Sequence, residues 1–257
     1  MHPSPPSDRV REDVRAFYRA EAADRDTEAW LAAGGTSRVP ESRAAHYFID
    51  RKVDAALSAV GLPASAEVLE VGCSFGQMTF LLAERFRAVT AVDLSPDAVD
   101  LTRRRAERYG VGNLTLDVAD AEALPYADDR FDGAFSWSVL RYVPGPAQAL
   151  AEMFRVLRPG GRLAADFPNK YCPWFGPVKM VLGIRPHVHD RLFTASELRA
   201  MAHDAGFVDV QTRPMLFTTR RLPEGLLPVA KATDAVLERT PGVRQLAAVI
   251  LVTGRKP

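Results

Sequence analysis

The segment that most restricts the fold is Val68-Leu69-Glu70-Val71-Gly72-Cys73-Ser74-Phe75-Gly76. A short apolar run that ends in a glycine turn predicts a strand reversing sharply into a helix, here over 78–86. Small residues in such a turn let the backbone approach a ligand. The helix N-terminus that follows offers unpaired N–H groups to a carboxylate or phosphate.

The rest of the chain repeats this rhythm. Strands are expected at 67–71, 88–92, 114–118, 131–136 and 162–166, then a sixth from Val208 and a seventh at 247–252. Ser95-Pro96 supplies an N-cap followed by proline at the first helical position. Ala147, Leu150, Phe154 and Leu157 make one apolar helix face, and Thr194-Ala195-Ser196-Glu197 is a capping box. Strands alternating with helices imply right-handed crossovers and a mostly parallel sheet. Before residue 66 the pattern is helical: Val10, Val14 and Phe17 share one face, and Ile49, Val53, Leu57 and Val60 another, closed by Gly61. The expected class is therefore α/β, a Rossmann-like, doubly wound, seven-stranded and mostly parallel sheet with helices on both faces. An N-terminal tail and helical cap should occupy 1–65 and the main domain 66–257. A proline- and aromatic-rich insertion after the fifth strand, 167–193, breaks the rhythm, and long irregular segments of this kind usually serve as lids or binding loops.

Bulk properties exclude several functions. Lys+Arg 33 against Asp+Glu 32 leaves a formal charge of +1 and no excess to hold a nucleic-acid backbone. Two cysteines in 257 residues make no disulfide framework, so a reducing compartment is expected. The apolar stretch 246–252 is too short to span a bilayer, and 1–7 reads as a tail rather than a signal peptide. A cytoplasmic protein, monomer or homodimer, is the expectation. No metal-ligand spacing stands out.

Three chemistries compete for the glycine turn. A dinucleotide fingerprint, G-x-G-x-x-G, needs glycine where Ser74 and Gln77 stand. A nucleophile elbow, G-x-S-x-G, fits residues 72–76 literally with Ser74 as nucleophile. Asp166 and His187, His189 or His203 follow in the chain order of acid and base. It would, however, need an oxyanion-hole loop from an earlier strand, and the earlier sequence is helical. The third chemistry also uses an acid at the ribose, and Asp93 lies 93 − 70 = 23 positions after Glu70, at the tip of the second strand.

Glu70, Gly72 and Gly76, with Cys73 and Ser74 between the glycines, resemble motif I of class I S-adenosylmethionine-dependent methyltransferases. Asp120-Ala121, the stretch 124–132, Leu157-Arg158-Pro159-Gly160-Gly161 and the ending Gly254-Arg255-Lys256-Pro257 resemble further stations of the same family, in order. The likeness is nearest to the ubiquinone/menaquinone-biosynthesis-like branch, although Arg141 and Tyr142 stand where that branch often has histidine. The resemblance implies S-adenosylmethionine as cofactor, S-adenosylhomocysteine as product and a small-molecule acceptor, natural-product or quinone-like, methylated at O, N or C. It places Glu70, Gly72, Cys73, Ser74, Gly76 and Ser136 in the cofactor set. Asp93 goes to the ribose hydroxyls, Leu94 to the adenine face, Asp120 and Ala121 to the adenine edge, and Tyr18 to the methionine end. A binding protein that keeps the fold without turnover is the alternative from another class.

An acceptor that must lose a proton needs a base. His187 and His189 lie in the insertion two positions apart, on one side of an extended backbone. His189 is the expected base, His187 a substrate contact and His46 the reserve.

Overall fold

The computed structural model describes residues 7–25, 42–173, 191–219 and 222–257. Two helices come first: α1 (Ser7–Arg25) and α2 (Arg43–Val60). The Ser42 hydroxyl caps α2 by accepting from the Ala45 N–H, and Gly61, at φ +60°, ends it in the left-handed conformation that suits glycine. There follow β1 (Glu67–Val71), α3 (Gln77–Ala83), β2 (Ala88–Asp93), α4 (Pro96–Arg108), β3 (Leu114–Val118), β4 (Phe131–Trp137) and α5 (Pro146–Val156). The chain closes with β5 (Leu157–Pro168), α6 (Ala195–Asp204), β6 (Val208–Met215), α7 (Leu227–Leu237) and β7 (Val249–Arg255).

The strands form one sheet in the order β3-β2-β1-β4-β5-β7-β6. Only β7 runs against its neighbours. This is the expected doubly wound, mostly parallel sheet. Its order reverses between β1 and β4, and open α/β sheets place ligands at the carboxyl ends of strands at such a switch point. β1 is buried along Val68–Val71, as a strand covered on both faces must be. One core layer packs Leu150, Met153, Leu198 and Phe207 against one face of the sheet, and the other packs Ile49, Val53, Val99 and Phe135 against the opposite face.

Several boundaries differ from the sequence reading. The turn Pro159-Gly160-Gly161 does not precede β5 but lies inside it. Leu157 already pairs with Phe131, and the Gly160 N–H donates to the Lys256 carbonyl at 2.9 Å. That edge contact comes from the far end of the chain, which local pattern does not report. β7 starts later and runs to Arg255 because antiparallel pairing with β5 and β6 carries it there. The flanks of the insertion are core rather than cover. Phe167 and Phe193 meet edge to face at 5.1 Å, and the buried Asn169 side chain donates to the Gln245 and Ala247 carbonyls at 2.7 Å each. The middle of the insertion, 174–190, lies outside the described residues.

A buried ion pair fastens α2 to the sheet. Lys52 Nζ lies 3.2 Å from Asp166 Oδ2, with the two side chains 5% and 1% exposed. The Ser138 hydroxyl donates to the same carboxylate oxygen at 2.7 Å. Removing one partner of such a pair leaves a bare buried charge and costs about 3–5 kcal/mol, whereas replacing both by apolar residues is often neutral. Lys52→Met should therefore lower unfolding stability by roughly that amount. Lys52→Met with Asp166→Leu should recover most of it in denaturant titration.

Candidate cofactor cleft

The glycine turn is shaped by its neighbours. Gly72 has φ +87°, and a Cβ there would lie 2.2 Å from Val139 Cγ2, so only glycine fits. The Gly72 and Cys73 N–H groups both donate to the Val92 carbonyl, at 2.7 and 2.9 Å. This folds the turn over the end of β2 and against Asp93. The Asp93 carboxylate accepts from the Ser74 N–H at 2.8 Å through one oxygen and from the Ser95 N–H at 3.0 Å through the other. Ser74 itself sits at φ +48°. Its carbonyl accepts from the Thr102 hydroxyl at 3.0 Å, which ties α4 to the turn.

A cleft enclosing about 560 Å³ of atom-free space, part of it open to solvent, runs along the ends of β1, β2 and β4. Tyr18, Gly72, Asp93, Leu94, Asp120 and Ala121 all line it. It thus gathers six of the residues expected around the cofactor. The other five stand back from it. Glu70 and Ser136 are 1% exposed, and the Ser136 hydroxyl is spent on the Val71 carbonyl at 2.9 Å, lacing β4 to β1. Cys73 is buried behind the turn, and burial pushes its thiol well above its ordinary range, so it is an inert filler. Gly76, at φ +83°, begins α3, where a Cβ would collide with Thr102 and Phe80. Ser74 contributes through its backbone contacts. His46 is half-buried near the start of α2 and does not line the cleft; His187 and His189 lie outside the described residues.

The cap and Tyr18 were expected at the cleft; sequence reasoning missed the arginines that stiffen it, Arg11 and Arg155. α1 lies across the cleft. Arg11 Nε donates to Asp120 Oδ2 and its terminal nitrogen to Glu122 Oε2, each at 2.6 Å. The Tyr18 ring lies 5.9 Å from that of Phe75, and Arg25 stands over Phe75 at 4.7 Å. Burial, then Asp93, pushes the Tyr18 phenol up, so it stays protonated. Arg155 on α5 clamps the loop carrying Asp120 by donating to the Leu124 and Tyr126 carbonyls at 2.9 and 2.7 Å. Arg11 offers no sequence signal beyond one cation on an amphipathic helix. It becomes visible only when α1 is laid on the sheet.

The donor set fits an adenosine-bearing ligand. A carboxylate at each end, Asp93 and Asp120, borders an apolar floor of Leu94, Ala119, Ala121 and Val139. Hydroxyls belong at the first acid, a planar base between them and an exocyclic amine at the second. A serine nucleophile is not supported, because no histidine among the described residues lines the cleft. Nor does any group of acidic, histidine or cysteine side chains among them suit a metal ion.

Comparison with known proteins agrees. Residues 69–165 match a family model described as a methyltransferase domain. The matched stretch runs from β1 through most of β5 and includes the glycine turn, Asp93 and Asp120. The chain is 36% identical over 117 residues to the methyltransferase GfsG of Streptomyces halstedii, which spans 45% of this chain and 42% of that protein. It is 29% identical over 197 residues to an S-adenosyl-L-methionine-dependent Diels-Alderase, iccD, of Talaromyces variabilis, spanning 69% of this chain and 63% of that one. The chain thus covers less than two thirds of the length of either relative. Among solved structures, the [4+2]-cyclase SpnF superposes with a TM-score of 0.70 at 23% identity, over 99% of this chain and 98% of that one, which speaks for the shared fold.

Glu70 gives the turn a pH signature. Its Oε2 accepts from the Thr79 hydroxyl at 2.6 Å, while Oε1 is buried without a hydrogen-bond partner among the described residues. Burial raises this carboxyl to about 8. A folded-state value above the unfolded one means that the folded chain binds the extra proton, so stability falls as pH rises from about 4.5 through about 8. Glu70→Gln should keep the Thr79 contact and flatten that part of the stability–pH curve relative to the parent, as read by thermal unfolding across this range.

Proposed function

We propose that this chain binds S-adenosylmethionine in the cleft along β1, β2 and β4 and methylates a small organic acceptor. The observation that carries the reading is the pair of carboxylates, Asp93 and Asp120, bordering an apolar floor inside a matched methyltransferase domain. When bound, the cofactor's sulfonium supplies an electrophilic methyl group. The chain's own task is then chiefly alignment, since well-oriented reactants recover roughly 7–11 kcal/mol of barrier. Asp93 holds the ribose hydroxyls through lone pairs not used by the Ser74 and Ser95 N–H groups. Leu94 packs on the base, and Asp120 and Ala121 meet its edge. Tyr18 closes the methionine end, and Glu70, Cys73, Ser74, Gly76 and Ser136 support the turn from behind.

In this reading residues 1–65 are a cap, the insertion 167–193 serves the acceptor side, and the acceptor is a natural-product or quinone-like molecule. His189 serves as base, with His187 as contact and His46 in reserve. The protein acts in the cytoplasm, as a monomer or homodimer, without nucleic acid. Among the described residues no helix is long and apolar enough to cross a membrane.

A second reading rests on the Diels-Alderase that resembles this chain. The Diels-Alderase likeness extends over 69% of it and the GfsG likeness over 45%. In that reading the bound cofactor is a fixed wall of the pocket, and the acceptor cyclises without gaining mass. Incubation with methyl-deuterated S-adenosylmethionine and fractionated extracts separates the two. A labelled product with S-adenosylhomocysteine is expected. An isomerised product with no label and no S-adenosylhomocysteine overturns methyl transfer in favour of cyclisation.

Asp93 tests the cofactor site. Asp93→Asn keeps one oxygen for the turn but loses the charge, and charge-assisted hydrogen bonds contribute about 1.5–3 kcal/mol. S-adenosylhomocysteine should bind about tenfold more weakly in calorimetry, with the variant still folded. Undiminished affinity would place the ribose elsewhere.

A further inference from the structure

A second cleft, enclosing about 700 Å³ of atom-free space, part of it open to solvent, lies where α2, β6 and α7 meet, and it shares no lining residue with the cofactor cleft. Arg51, Arg213, Lys231 and Arg239 line it together with Tyr47 and Glu238. Four cations from three separate elements thus face one carboxylate. That carboxylate is already committed. Glu238 Oε1 accepts from the Leu216 N–H at 2.9 Å, and Oε2 takes the Arg51 terminal nitrogen at 2.7 Å, with Arg213 farther off at 3.8 Å. The neighbouring Asp234 cannot help. One oxygen accepts from the Phe217 and Thr218 N–H groups at 2.6 and 3.1 Å, the other from the Thr218 and Tyr47 hydroxyls at 2.6 and 3.0 Å.

Donors are therefore left over. Arg51 Nε is buried without a hydrogen-bond partner among the described residues. Lys231 stands over the Tyr47 ring at 5.1 Å, and neither it nor Arg239 is ion-paired among those residues. Like charges gathered in a concavity repel one another, and a buried N–H without an acceptor is costly. The repulsion is relieved by one kind of ligand: a multiply charged oxyanion with several acceptor oxygens. Guanidinium forks suit the oxygens of a phosphate and an ammonium adds a point charge, while the Tyr47 ring and Ala235 offer a flank for a carbon substituent.

We propose that this cleft is a binding site for a phosphate monoester, separate from the cofactor cleft and independent of how methyl transfer is resolved. The probe is phenyl phosphate, titrated into the full chain by calorimetry at constant ionic strength, with inorganic phosphate, citrate and chloride as further arms. Saturable binding of one phenyl phosphate per chain is expected, tighter than inorganic phosphate and not reproduced by chloride. Lys231 and Arg239 are exposed on and just after α7, so Lys231→Gln with Arg239→Gln should weaken phenyl phosphate at least tenfold. S-adenosylhomocysteine affinity and unfolding temperature should not change. Arg239→Gln alone, with a smaller loss, serves if the double variant folds poorly. Absence of saturable binding to the parent chain overturns the proposal. So does citrate binding more tightly than phenyl phosphate, or full affinity in the folded variants.

Discussion

Everything at the cofactor cleft depends on the Asp93 carboxylate and the two backbone N–H groups it accepts, from Ser74 and Ser95. One side chain holds the glycine turn after β1 and the start of α4 to the end of β2. Three segments that meet only in the folded chain are thereby set around one point. Burial raises the pKa of this acid, and the hydrogen bonds to Ser95 and Ser74 work in the opposite direction. Asp93 is thus both a ligand candidate and the pin of the turn that would hold the ligand. Its replacement by alanine would disturb both roles, which is why asparagine is the informative change.

Around that pin the molecule places its charges unevenly. The candidate cofactor cleft is acidic at both ends, at Asp93 and Asp120, and α1 brings Arg11 to the second of these. The Asp120 carboxylate is thus shared between α1 and any amine that enters the cleft, so cap and ligand contend for the same oxygens. The cleft between α2, β6 and α7 is cationic. A formal charge of +1 hides this separation, because opposite excesses cancel in the sum. Function follows the local balance, set by which side chains the fold brings within a Debye length of one another.

Much of the architecture was legible because it rests on local physics. Glu67–Val71 and Leu114–Val118 are strands where apolar pattern and turn residues put them, and Ser95-Pro96 and Thr194–Glu197 cap helices as their chemistry requires. Misplacements occurred where distant strands decide. Gly160-Gly161 reads as a stop, yet pairing with Lys256 draws it into β5. Phe167 and Phe193 read as the rims of a loop, yet they pack on each other in the core.

The same division runs through the site. Residue type and order along two neighbouring strand–turn–helix units determined the glycine turn and the acid beside it, since Gly72 must take a positive φ and Asp93 ends the neighbouring strand. These are short-range demands that a sequence displays directly. Only the tertiary structure decided that Ser136 faces the Val71 carbonyl, that Arg11 reaches Asp120 across 109 positions, and that Lys52 finds Asp166 across 114. Such partners are chosen by which helix lands on which face of the sheet. That choice minimises exposed apolar area and buried unpaired charge over the whole chain, a sum to which no local window has access.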